Sequence, residues 1–162
     1  MTTSRIALRR CLLAAAFLMM AVIFFFSAQT GEESSQVSGG VTAFILKITV
    51  PGYAQMTEAE QLPYLEKAGH IVRKLAHFSE FALLSMLLTG YFYLRRSDGR
   101  PLPALPLGWG AATLYACTDE LHQMFVADRG PSVVDVCIDS SGALFGAALV
   151  VGVIALGRRR RR

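Results

Sequence analysis

Residues 133–162 read VVDVCIDSSGALFGAALVVGVIALGRRRRR. From Val133 to Leu156 this is one apolar block near the length of about 20 residues that a bilayer-spanning helix needs. Its charges are split by position: Asp135 and Asp139 stand near the start, and Arg158–Arg162 follow the end. Lys and Arg in short flanking segments stay on the cytoplasmic side, so this span is expected to start outside and finish inside. The arginine run directly after a span reads as an anchor beside anionic lipid headgroups, not as a nucleic-acid tail.

The rest of the chain follows the same pattern. It has 162 residues, of which 53% are hydrophobic and only 17% charged. A soluble domain carries about 25% charged residues, and a disordered chain has far fewer apolar ones. Three further stretches have spanning length: 11–28, 75–94 and 104–126. The predicted fold is therefore all-α, a polytopic membrane protein of four transmembrane helices with both termini inside.

Charge distribution supports that topology. The segment before the first span, the Arg95–Arg100 loop and the C-terminal tail together hold eleven basic residues and one acid. The remainder holds five basic residues and eleven acids, so a formal net charge of +4 separates into +10 on one side and −6 on the other. An N-terminal basic segment followed by an apolar run also describes a signal peptide, but Ser27-Ala28-Gln29 is a poor cleavage site. Retention of this segment is expected, with the chain a multi-pass membrane protein whose two termini are cytoplasmic.

Between the first two spans lies an outer loop, 29–74. Gly31–Gly40 is rich in Gly and Ser and is expected to be irregular. Val41–Val50 is a short apolar segment suited to the interface, and Pro51-Gly52 marks a turn. Thr57-Glu58-Ala59-Glu60 is a capping-box signature that opens a short polar helix towards Lys67. Cys11, Cys117 and Cys137 all fall in predicted spans and read as small apolar fillers, with no disulfide or zinc spacing.

Once the topology is set, the ionisable residues inside the spans fall in one layer. Lys74, His77 and Glu80 occupy the first turns of the second span. Asp119, Glu120, His122 and Gln123 lie at the outer end of the third. Arg129 and Ser132 follow in a short loop, and Asp135 and Asp139 open the fourth span. Charges inside a membrane cost a few kcal/mol and persist where they have partners or a function. One reading is a polar clamp joining three helices. Ser, Thr or Asn would join them at lower desolvation cost, which favours a functional site. Gly142 and Gly146 form a GxxxG step suited to close helix packing. Tyr115 either joins the polar layer or sits in the outer aromatic belt, and Phe24–Phe26 face lipid.

Three ordered blocks resemble the VanZ-like family of small bacterial membrane proteins. Arg73-Lys74-Leu75-Ala76-His77-Phe78-Ser79-Glu80-Phe81 is similar to its K-x-x-H-F-x-E-Y signature, with Phe81 in place of Tyr. Asp119-Glu120-Leu121-His122-Gln123-Met124-Phe125, then Arg129 and Ser132, resembles the second block, with Asp128 where Gly is common. Asp135, Asp139, Gly142 and Gly146 fit the spacing of the third, and Phe26–Gly31 resembles the end of the family's first span. The resemblance implies an envelope protein of the cytoplasmic membrane, in a family whose founding member is linked to teicoplanin resistance.

Three functions are compatible with these residues. The first is binding or modifying a lipid-linked or cell-wall component, with Lys74 and Arg129 facing its anionic group. The second is acid–base catalysis on a lipid headgroup, with His77 or Glu80 as base and Asp119 and Glu120 tuning each other. The third is proton-coupled transport. No HExxH or comparable spacing appears, so neither a metal nor another cofactor is expected. Membrane lipids are the expected partners and nucleic acid is not.

Overall fold

The computed structural model describes residues 3–160; Arg161 and Arg162 of the terminal arginine run lie outside the described residues. It is all-α. Five α-helices follow in order: α1 (Thr3–Ser27), α2 (Gly31–Thr49), α3 (Glu58–Arg95), α4 (Leu105–Gln123) and α5 (Val133–Arg159). Short 3-10 turns at Tyr53–Gln55 and Leu102–Ala104 complete the connections. Helices α1, α3 and α5 are long and apolar enough to cross a membrane. Helix α4 has 19 residues, about 28 Å at 1.5 Å per residue, and its glycines, threonines and terminal acids make it less apolar.

Helix α3 is the hub, packed against all four other helices. Its contact with α5 depends on glycine. A Cβ on Gly142 would overlap the Phe78 carbonyl oxygen and lie 2.9 Å from its carbon. One on Gly146 would overlap the Ala82 carbonyl and lie 2.8 Å from that carbon. The GxxxG step therefore lets the two backbones touch, as the sequence predicts. Around this seam Phe81, Leu84, Ala112, Ala116 and Ala143 are fully buried, with Ala16 and Ile23 of α1 closing the core. Tyr115 follows neither expectation: its hydroxyl donates to the Met20 carbonyl at 2.7 Å and ties α4 to α1. Many other apolar side chains, among them Phe17, Phe25, Leu114 and Val153, face outward, as expected of helices whose surroundings are apolar. The three cysteines also face outward and do not fill the core.

The basic segments meet at one end of the bundle. Arg5 donates to the Arg96 carbonyl at 2.6 Å, Arg96 pairs with Asp98 at 2.6 Å, and the Arg158 guanidinium lies against Gly99. Hydrogen bonds from Arg96 and the Arg100 amide hold the Asp98 carboxyl down to about 2.

The predicted outer loop 29–74 is mostly helix, which corrects two expectations. Gly31–Gly40 is not irregular but forms the first half of α2. Thr30 and Glu33 make a reciprocal capping box, with the Thr30 amide donating to Glu33 at 2.8 Å and the Glu33 amide to Thr30 Oγ1 at 3.2 Å. The hydroxyls of Ser35, Ser38 and Thr42 then bond back to carbonyls one turn earlier. Thr42 and Leu46 are buried, with Thr42 beside Gly69 of α3, and this packing holds the segment helical despite Gly39 and Gly40. The second correction concerns the helix after Thr57. The Thr57 amide does donate to Glu60, at 2.8 Å, but the helix runs unbroken to Arg95 as 38 residues. Pro63 costs it a single main-chain hydrogen bond in the second turn. The predicted third span, 104–126, ends earlier as a helix, at Gln123, and the next residues form a turn with Phe125 exposed.

Candidate functional site

At the end of the bundle away from Arg5, Arg96 and Arg158, α3, α4 and α5 enclose a cleft of about 270 Å³, with the start of α2 on its far wall. Helix periodicity brings the residues there. His70, Arg73, Lys74 and His77 recur on one face of α3, Glu120 and Gln123 end α4, and Asp135 and Asp139 stand one turn apart on α5.

Of the predicted site residues, Lys74, His77, Glu120, Gln123, Arg129, Asp135 and Asp139 line the cleft. Lys74 Nζ forms an ion pair with Asp135. His77 Nδ1 lies 4.0 Å from Asp139 Oδ1, too far for a hydrogen bond. Asp139 is fully buried, and neither of its carboxyl oxygens has a hydrogen-bond partner among the described residues. Gln123 spans two helices: its Nε2 donates to Ser27 Oγ of α1 at 2.9 Å and to Asp119 Oδ2 at 3.3 Å. The other Asp119 oxygen is buried without a partner.

Three predicted residues lie outside the cleft wall: Glu80, Asp119 and Ser132. Glu80 is half-buried one turn beyond His77 and makes no side-chain hydrogen bond among the described residues. Ser132 caps α5 by accepting from the Asp135 amide at 3.2 Å. Glu120 accepts from the Ser132 amide at 2.7 Å and so fixes the turn between α4 and α5. The Asp119 and Glu120 carboxyls therefore engage different hydrogen-bond partners. His122 stacks on Phe24, with ring centroids 4.5 Å apart, outside the cleft.

Sequence reasoning missed His70 and Arg73, together with the wall formed by Gly31 and Ser34. The signal for the first two was the same helical spacing, i, i+3, i+4 and i+7 from His70 to His77, which continues back into the segment read as loop. Arg73 donates to Ser35 Oγ at 3.1 Å, linking α3 to α2. Burial, the neighbouring Arg73 and opposing attraction from Asp119 and Glu120 set the Arg129 guanidinium, whose pKa is lowered overall. Among the described residues, no three His, Cys, Asp or Glu side chains are disposed to hold a metal ion.

The arrangement offers two kinds of group. Asp119 Oδ1 and both Asp139 oxygens are buried without a donor among the described residues, although a buried acceptor ordinarily has one. Guanidiniums of Arg73 and Arg129 lack carboxylate partners within 4.0 Å among the described residues. No curated protein and no solved structure matches this chain. A family model described as VanZ/LLP1 matches residues 12–155, which takes in all three blocks of the resemblance and the cleft they form. On that match, which leaves out only the two ends, the chain belongs to the VanZ/LLP1 family.

Proposed function

We propose that this protein crosses the bacterial cytoplasmic membrane four times, with α4 crossing in addition to α1, α3 and α5 and both termini inside. The cleft then opens at the outer face and receives the headgroup of a lipid-linked or cell-wall component. Through that component the protein influences susceptibility to glycopeptides of the teicoplanin type, in line with the family's founding member. The observation that carries the reading is the fully buried Asp139 carboxyl, which lines the cleft with neither oxygen accepting a hydrogen bond among the described residues, at the end of the bundle opposite Arg5, Arg96 and Arg158. Carboxyls that served only to join helices would hold donors from those helices. A headgroup bearing hydroxyl, amide or ammonium groups supplies the missing donors.

Two other readings have less support. Acid–base catalysis retains His77, near Asp139, and the half-buried Glu80, but Glu120 is engaged by the Ser132 amide. Transport requires a route through the bundle, and the cleft occupies one end only, above a core in which Phe81, Leu84 and Ala143 are fully buried.

Topology is tested by thiol labelling in intact cells, with the three native cysteines replaced by alanine. Ser35→Cys should react with an impermeant reagent and Ser97→Cys should not; the reverse result would overturn the orientation. For function, Glu80→Gln and Asp119→Asn should each abolish the glycopeptide phenotype while the protein still accumulates in the membrane. Failure of both to accumulate would return the polar layer to the role of a helix clamp.

A further inference from the structure

The cations of the cleft are not equivalent. Lys74 is neutralised by Asp135, and both are part-buried. Arg73 and Arg129 line the same cleft, yet no carboxylate comes within ion-pair distance of either among the described residues. Arg73 donates one N–H to the Ser35 hydroxyl, and the Arg129 side chain makes no hydrogen bond among the described residues. Asp128 lines the cleft too, and Asp119 and Glu120 act on Arg129 at longer range, but none of them pairs with it. Two half-buried cations held near each other repel, and Arg73 is the neighbouring charge that most depresses the basicity of Arg129. A fold that brings them together without a counter-ion leaves room for an anion. Two guanidinium forks suit a tetrahedral anion of more than one charge, because each presents paired N–H donors to adjacent oxygens.

We propose that Arg73 and Arg129 form a phosphate site at the mouth of the cleft, contributed by the fold pairing of α3 with the α4–α5 turn. This rests on the headgroup reading and gives the ligand a phosphate group, placed by the two arginines, while Asp139 accepts from its donor groups. Lys74, which the sequence puts forward as the anion partner beside Arg129, is replaced in that role by Arg73.

The test uses the full-length protein in detergent, with melting temperature and native mass spectrometry as readouts. Three probes are compared: phosphatidic acid, diacylglycerol of the same acyl chains, and inorganic phosphate. Phosphatidic acid should bind and stabilise the wild type, and diacylglycerol should not. Arg73→Gln and Arg129→Gln should each weaken phosphatidic acid binding by about tenfold or more, the loss expected for a charge-assisted bidentate contact. Arg129→Lys, which keeps the charge but not the fork, should fall between. Arg158→Gln, at the opposite end of the bundle, should bind as the wild type does. An arginine-dependent shift of equal size with inorganic phosphate upholds the site and assigns its phosphate to a soluble source; a shift with phosphatidic acid alone assigns it to lipid. Equal binding of the two lipids, or equal losses in Arg158→Gln and Arg129→Gln, overturns the proposal. The headgroup reading fails separately: if the Arg variants lose binding while Asp139→Asn does not affect retention of any native lipid, the phosphate site stands and the role given to the buried carboxyls falls.

Discussion

Gly146→Ala lowers the stability of the protein by more than about 2 kcal/mol, although a glycine-to-alanine change inside a helix ordinarily gains about 0.5–1 kcal/mol. The added methyl has nowhere to go. It would overlap the Ala82 carbonyl, and the obstacle is main chain of α3, not the end of a flexible side chain. Helices α3 and α5 must separate to admit it, breaking the most extensive helix contact in the fold. Gly142→Ala meets the Phe78 carbonyl in the same way. Gly152 in the same helix has open space around the position of a Cβ, so Gly152→Ala should be neutral or slightly stabilising. Thermal unfolding of the purified variants checks this sign change along one helix. Equal effects at Gly146 and Gly152 would contradict the close α3–α5 crossing, and with it the placement of His77 opposite Asp139.

Asp139→Asn has the second large effect, and it divides stability from binding. A fully buried carboxyl with no hydrogen-bond partner among the described residues is a cost to the fold, of order 1–3 kcal/mol for an unsatisfied polar group and more for a charged one. Asparagine has the same size and brings its own donors, so the variant should melt at the same temperature as the wild type or higher. Binding should fall, because the headgroup loses an acceptor that the empty protein leaves unpaired. A melting temperature lowered by several degrees would instead make Asp139 part of the helix-joining scaffold. Function that costs stability at the residue performing it is the pattern expected of a site rather than a clamp.

Much of this was legible in the sequence, and the failures have physical reasons. Apolar block length marks α1, α3 and α5, because residues facing an apolar environment must be apolar along their whole spanning length. Gly142 and Gly146 were readable as a packing face since four-residue spacing returns to one side of a helix. Helix α2 was not, because Ser and Gly have low intrinsic helix preference and composition outweighed the Thr30–Glu33 capping signature within it. Ending the helix that opens at Thr57 near Lys67 cut α3 short and hid His70 and Arg73 from the site. The partners within the polar layer were not readable at all. Spacing places Lys74, Asp135, Asp139 and Glu120 at similar depth, but only side-chain geometry shows that Asp135 is neutralised, Glu120 pins a turn and Asp139 is left without a donor.

The most direct test of the central claim is mass analysis of what the protein retains when purified in mild detergent, comparing the wild type with Asp139→Asn at matched folding. The wild type should carry a defined lipid or lipid-linked precursor in stoichiometric amount, and the folded variant should carry little of it. Retention of the same molecule by both, or of none by the wild type, would contradict a headgroup site at Asp139.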